Sequence, residues 1–482
     1  MIDSKKMFFK TLLPILFLGI EITFFILSQA APALAIPAFS RKYDAPCSLC
    51  HVAVPKLNDF GNTFRDNGYQ MMSDADLPEK HTEGFWPLSI RTVVGYQYAT
   101  IDHQPTLDGT GLARATTGSA GFSGIDVLSY GTLAKNISYG VVYTPGLAGS
   151  GFSIGNTINE SDLETAFVRF NNLLDTSLLN VRVGKFELDL PVSEHRTQTL
   201  NTPYVVYHYL AGVPYSGVIE NRSTLPAFTG TPSFTNQSGF GLGDNQVGAE
   251  LMGHHPDGIG LFRYSFAVLS NSRSDAFGGG KQAEFYGHVT QSWGDWGAVS
   301  GQRIGLFGFS GRTPTANETG IPGAGHLDQS FYRYGADLSL NYTPFHTNLI
   351  LVYMHGRDAG ALFCSDNGAG RCDPSPTAQD AVWNGGFAEI NYLATPQLMV
   401  VYRYDLVRND RQIDTSFSDH FNDVDSHTAA LRYAIFISTR AALLAHLEYN
   451  RTESRSVTQD PATLQVQNVR ANTVLAGFDF AF

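Results

Sequence analysis

The chain has 482 residues, with 32 basic and 44 acidic side chains and a formal charge of −12. That acidic balance excludes a nucleic-acid partner held by basic patches. Only 16% of residues are charged, 48 are glycine, and 33 Phe and 22 Tyr are present, at near-neutral mean hydropathy. This composition excludes a bundle of apolar membrane helices and suits a sheet with one face in lipid and the other in water.

Residues 1–35 read as an export signal. Lys5, Lys6 and Lys10 precede a mostly apolar run over 11–28, and Ala33-Leu34-Ala35 has the small-x-small cleavage pattern. Glu21 interrupts the apolar run, which leaves an uncleaved anchor as the alternative. Cleavage makes Ile36 the mature N-terminus and shifts the charge from −12 to −13, because three Lys leave with Asp3 and Glu21. No other stretch approaches the ~20 apolar residues of a spanning helix.

Cys47-Ser48-Leu49-Cys50-His51 follows. The Cys-x-x-Cys-His spacing lets two thiols add to the vinyl groups of one haem, with the adjoining histidine as axial ligand of the iron. Paired cysteines also bind zinc or form redox disulfides. Here neither a second cysteine pair nor a nearby histidine cluster completes a zinc site. The expected cofactor is therefore one haem c on Cys47, Cys50 and His51. Attachment of this kind is completed outside the cytoplasm, in agreement with the signal.

The haem-bearing segment spans only 36–86. So short a chain buries too little surface to fold without a staple, which a covalent haem supplies. A helix is predicted to start at Pro55, with Leu57, Phe60 and Phe64 on one face and Asn67-Gly68 as its stop. Met71, Met72 and His81 are the candidate sixth ligands, each equally readable as a packing or solvent-facing residue.

Residues 87–482 read as an all-β outer-membrane barrel of about sixteen antiparallel strands. Period-two alternation is cleanest over 329–342, where Tyr332, Tyr334, Ala336, Leu338, Leu340 and Tyr342 oppose Arg333, Asp337 and Ser339. Likewise Leu398, Val400, Tyr402 and Tyr404 oppose Arg403 and Asp405, and Leu431 and Tyr433 oppose Arg432. The strands are predicted near 88–100, 121–134, 137–145, 163–170, 179–188, 246–254, 259–270 and 282–293. The second half follows at 299–310, 329–342, 347–357, 383–394, 398–407, 426–437, 441–451 and 470–482. Connections alternate long and short, as external loops and periplasmic turns do. The chain ends on an aromatic residue, Phe482, resembling the signal by which such barrels are assembled.

The longest connection, 189–245, is rich in Pro, Thr, Ser, Gly and Asn, and is read either as a constriction folded into the lumen or as an external flap. Cys364 and Cys372 flank a short Gly/Asn loop and are expected to close a disulfide in an oxidising compartment, two free thiols being the alternative. Four inward arginines, Arg169, Arg182, Arg263 and Arg303, fall in the periplasmic half. They are candidate partners for haem propionates, with a charged pore lining as the other reading.

Pro37-Ala38-Phe39-Ser40-Arg41 ahead of the haem motif resembles the N-terminus of the fused cytochrome–porins, outer-membrane proteins that include the iron oxidases of iron-oxidising bacteria. Ser40 stands where the family pattern has alanine. The stretch Arg182–Pro191 is also similar to the family. The resemblance covers the whole mature chain and implies a monohaem outer-membrane electron-transfer protein, an oxidoreductase of a Gram-negative bacterium. Extracellular Fe(II) would be the donor and a periplasmic carrier the acceptor. The haem is expected at the periplasmic mouth or inside the lumen. Outward transfer to an external acceptor, and a solute porin plugged or regulated by its haem segment, are the alternatives. Asp337, Glu389 and Glu448 are read both as lumen carboxylates that attract the cation and as partners of the arginines.

Overall fold

The computed structural model describes residues 37–43, 45–46, 49–53, 56–71, 87–105, 111–145, 162–200, 202–212, 215, 234–236, 240–270, 283–294, 301–314, 328–360, 363–366, 372–374, 379–412, 420–438, 441–460, 463 and 465–482. The signal segment, Cys47, Met72 and His81 lie outside these residues. Sixteen strands pair antiparallel around a closed barrel. In chain order they are β1 (Leu88–Pro105), β2 (Leu112–Ala134), β3 (Ile137–Thr144), β4 (Asp162–Phe170), β5 (Asn180–Phe186), β6 (Gln246–Pro256), β7 (Leu261–Ser270) and β8 (Ala283–Trp293). There follow β9 (Gln302–Pro314), β10 (Asp328–Tyr342), β11 (Thr347–Asp358), β12 (Ala381–Thr395), β13 (Leu398–Arg411), β14 (Val424–Ile437), β15 (Ala442–Gln459) and β16 (Val466–Ala481). The expected fold class and strand number are borne out. Closure removes every edge, so the backbone groups of the wall are satisfied strand to strand without water.

The first and last strands pair throughout, from Arg470 opposite Asp102 to Ala481 opposite Arg91. Beyond the ladder, Ile90 and Phe482 exchange both backbone hydrogen bonds, at 2.8 and 3.0 Å. The C-terminal aromatic residue is thus part of the seam.

The two faces follow the alternation. Tyr96, Tyr98, Leu351, Tyr353, Leu447 and Phe478 are exposed outward, giving the apolar outer belt of a membrane barrel. Arg333, Asp337, Arg403, Asp405 and Arg432 are buried inward. Two-residue turns such as Lys135–Asn136 mark one end, and the long connections gather at the other. Among the described residues no helix is long and apolar enough to cross a membrane; the strands do so.

Several boundaries differ from the alternation-based reading. β2 begins at Leu112, nine residues before the predicted 121, because the added stretch is small and polar and lacks hydrophobic alternation. β15 runs to Gln459 through a polar sequence that projects past the apolar belt.

Candidate functional site: a haem-motif segment in the short-turn mouth

Before the barrel, the chain forms helix α1 (Pro37–Tyr43), a small hairpin of His51–Ala53 with Lys56–Leu57, and helix α2 (Asp59–Asp66). The predicted start of α2 at Pro55 is corrected to Asp59. Asn58 is the N-cap: its side-chain oxygen accepts from the Gly61 N–H at 2.8 Å, satisfying one of the orphan donors of the first turn. The same Asn58 donates its backbone N–H to the Cys50 carbonyl at 2.9 Å and its side-chain N–H to Leu49 O at 3.0 Å. It therefore couples the haem motif to the helix. The predicted stop at Asn67-Gly68 holds: the Asn67 N–H closes on Thr63 O at 2.8 Å and Gly68 takes φ +74°, a conformation that favours glycine.

An aromatic cluster joins this segment to the barrel wall. Phe39 meets Phe64 edge-on at 5.0 Å and stacks on Tyr69 at 5.6 Å, and Tyr69 contacts Tyr130 of β2 at 5.2 Å. Polar ties complete the docking. Arg169 on β4 donates to the Arg65 carbonyl at 2.9 Å and to the Asp66 carbonyl. Arg263 on β7 pairs with the Asp66 carboxylate at 2.6 Å, and Lys56 donates to Asn348 of β11. Burial pushes the Asp66 carboxyl up, but Arg263 and Arg65 outweigh it and hold it at about 2. All these barrel partners lie toward the short-turn end.

Between segment and wall lies a cleft of about 1350 Å³, partly open to solvent. Phe39, Tyr43, Leu57, Phe64 and Tyr69 supply apolar walls, and Cys50, His51 and Met71 lie on the same surface. Burial pushes the Cys50 thiol up. This donor chemistry suits a haem: one motif sulfur, an imidazole and a thioether around an apolar cradle. Met71 is thus brought to the motif.

The four arginines are divided. Arg169, Arg182 and Arg263 line an adjoining cavity of about 990 Å³, and Arg263 and Arg303 line a third of about 1770 Å³. Each is already engaged: Arg182 with Glu250, Arg263 with Asp66, Arg303 with Asp337 at 3.1 Å, and Arg169 with the α2 carbonyls. None of the four lines the cleft itself. The cationic side chains that do are Arg65, Arg91 and Arg196, with His195 beside them. Sequence reasoning missed these; Arg91 alone carried a signal, as an inward position on the first strand.

The long connection enters the lumen. Val205–His208 forms a short helix, α3, and Tyr204, Val205, Val206, Tyr207 and Tyr209 are 0–2% exposed. Tyr204 donates to Glu389 at 3.0 Å, the Leu200 N–H to Glu448 at 2.8 Å, and Arg403 to the Thr202 carbonyl at 2.8 Å. Near the long-loop end Tyr209 packs on Trp383 at 5.0 Å. Of the two readings of this loop, the described part follows the lumen constriction. Glu389 and Glu448 anchor the plug, and Asp337 bonds His288 and Arg303. These carboxylates therefore serve as partners of internal groups. Among the described residues no cluster of three or more His, Cys, Asp or Glu side chains is arranged for a metal ion.

Cys364 and Cys372 sit on opposite strands of an external hairpin whose backbone pairs Cys364 with Pro374 and Asp366 with Cys372. Their side chains lie outside the described residues.

No protein-family model matches the sequence, and no curated protein matches it. Solved structures with a similar barrel include the anion-selective porin from Comamonas acidovorans, 15% identical, over 82% of this chain and 99% of that one, with a TM-score of 0.45. The outer membrane channel DcaP of Acinetobacter baumannii is 10% identical over 84% and 100%, with a TM-score of 0.47. Pseudomonas putida OprB is 10% identical over 88% and 98%, with a TM-score of 0.43.

Proposed function

We propose that this porin-like outer-membrane barrel is a cytochrome–porin, moving electrons from extracellular Fe(II) through one haem c to a periplasmic carrier. The observation that carries the reading is the placement of Cys50, His51 and Met71 on one apolar cleft at the short-turn mouth. Short turns of such barrels face the periplasm, so a haem held there lies within reach of a soluble carrier. When bound, the haem supplies one-electron exchange at its iron.

The protein's own residues attach, orient and shield. Cys47 and Cys50 would anchor the haem and His51 would hold its iron, with Met71 favoured over Met72 and His81 as a further ligand. Phe39, Phe64 and Tyr69 limit water on one side. Arg91 and Arg196 are better placed for the propionates than Arg169, Arg182, Arg263 or Arg303, because they line the cleft. Fe(II) loses one electron and leaves as Fe(III), needing no nucleophile or general base.

The second reading is a solute porin plugged or regulated by its N-terminal segment. It is supported by the sixteen-strand barrel and by the further cavities of about 990 and 1770 Å³ beside the segment. Haem staining of membrane fractions separates the two. The cytochrome reading expects covalent haem in the wild type and its loss or disturbance in Cys47→Ala, Cys50→Ala and His51→Ala. A protein that never carries haem, yet passes solutes, leaves the porin.

A further inference from the structure

The outward face of β13–β16 is layered, and sheet register gives the layers. In one row Leu431 of β14 lies opposite Leu447 of β15. In the next, Ala429 lies opposite Tyr449, and Tyr449 opposite Val474 of β16. Leu431, Leu447, Tyr449 and Val474 are 38–47% exposed, so they meet lipid. One step toward the long loops, His427 opposes Arg451 and Arg451 opposes Asn472. A further step brings Asp425 opposite Glu453 and Glu453 opposite Arg470. The charged rows therefore sit directly above the apolar ones, at the level where a bilayer carries its headgroups.

Charge in these rows does not balance. Asp425 pairs with Arg408 and, at 2.8 Å, with Arg455. Glu453 takes Arg470 in a fork at 3.0 and 3.3 Å. Arg451 is exposed and makes no hydrogen bond or ion pair among the described residues. Four arginines thus meet two carboxylates. The flanking acids have their own partners: Asp102 pairs with Arg114 at 3.4 Å, Asp380 with Arg357, and Asp410 takes the Asn384 amide. At the same end of β7 and β8 the exposed outward residues are Val268 and Phe285, so the arginine group belongs to one sector of the wall.

We propose that this sector holds a phosphorylated glycolipid of the outer leaflet, of the lipid A type. Arg451 takes two phosphate oxygens in its planar fork, while Arg455 and Arg470 add attraction from the row above. The acyl chains lie along Leu431, Leu447, Tyr449 and Val474. A guanidinium at the hydrocarbon edge has less water around it than one on a loop, and an anionic headgroup supplies its missing partner. Free phosphate leaves the apolar rows unused, and a lipid without phosphate leaves Arg451 unpaired, so the surface calls for both parts in one molecule.

Native mass spectrometry of the full-length protein in detergent, titrated with bisphosphorylated lipid A, tests this without reference to haem. Saturable one-to-one binding is expected, about tenfold or more tighter than for the same lipid with its phosphates removed, and undiminished by millimolar inorganic phosphate. Arg451→Gln should weaken binding by about tenfold or more, as loss of a charge-assisted contact does. Arg451→Lys, which keeps the charge but not the fork, should fall between. Arg357→Gln, which removes a paired arginine from another part of the wall, should leave the affinity unchanged. Heat-modifiable gel mobility confirms that each variant barrel is folded. Absence of saturable binding, equal binding of the dephosphorylated lipid, competition by inorganic phosphate, or unchanged affinity in Arg451→Gln overturns the proposal.

Discussion

Asn58 and Gly61 decide whether the haem motif keeps its shape. Asn58 holds the Cys50 and Leu49 carbonyls and caps α2. Asn58→Ala should cost the segment about 1 kcal/mol through the cap alone, and more through the freed carbonyls. Gly61 packs so closely on the Cys50 carbonyl that an added Cβ meets it. Gly61→Ala should therefore strain the turn by roughly 1–3 kcal/mol. Haem staining normalised to barrel content is expected to fall in both variants; undiminished staining in Gly61→Ala would show that the close approach does not matter.

Asp66 carries a pH dependence with a definite sign. Its folded pKa of about 2 lies below the unfolded value of about 3.9. The tie to Arg263 and Arg65 is thus fully present above the unfolded value and is lost as pH falls through about 2. The segment should stay docked at pH 4 and loosen near pH 2, read as protease cleavage within 59–71. Breaking one partner of a buried pair costs roughly 3–5 kcal/mol, so Asp66→Asn should be cleaved readily even at neutral pH. Resistance of that variant would remove Asp66 from the docking account.

The lumen plug is the element whose removal should change behaviour most. Residues 199–212 are tied through Tyr204, Thr202 and Arg403 to the wall. Replacing them with a short Gly/Ser linker should open the barrel, read as a severalfold rise in single-channel conductance in planar bilayers. Equal conductance in the two proteins would mean that this segment is not the constriction.

Length alone made this connection conspicuous, but its polar composition hid its path. The one local signal was Tyr204-Val205-Val206-Tyr207, an apolar run inside a loop otherwise rich in turn residues. The start of α2 was hidden for a different reason. Pro55 and Asn58 are both acceptable helix starts, and the choice depends on carbonyls of Leu49 and Cys50 that a linear reading does not bring near. β10, by contrast, was legible residue by residue: Tyr334 is half exposed at 51% while Arg333 and Asp337 are 3% and 2% exposed.

Over the whole molecule, period two and the long–short alternation of connections predicted the barrel because its wall consists of nearest-neighbour strand pairs. Pairings of distant residues were not legible. Inward direction was correctly expected for Arg169 and Arg263, yet their partners Arg65, Asp66 and Asp189 sit 74 to 197 positions away. Only the fold shows that these arginines grip the N-terminal segment while Arg65, Arg91 and Arg196 line the cleft. Because the barrel satisfies its own backbone, deletion of 36–86 behind the signal should leave a folded, membrane-inserted barrel, checked by heat-modifiable mobility.

The central claim is that Fe(II) on the outside reduces a haem held at the inner mouth. Stopped-flow absorbance of the purified protein in liposomes, with Fe(II) added to the face bearing the long loops, measures it directly. The account predicts prompt reduction of a covalent haem at acidic or neutral pH, lost in His51→Ala. A haem that dithionite reduces but Fe(II) does not at either pH would contradict it.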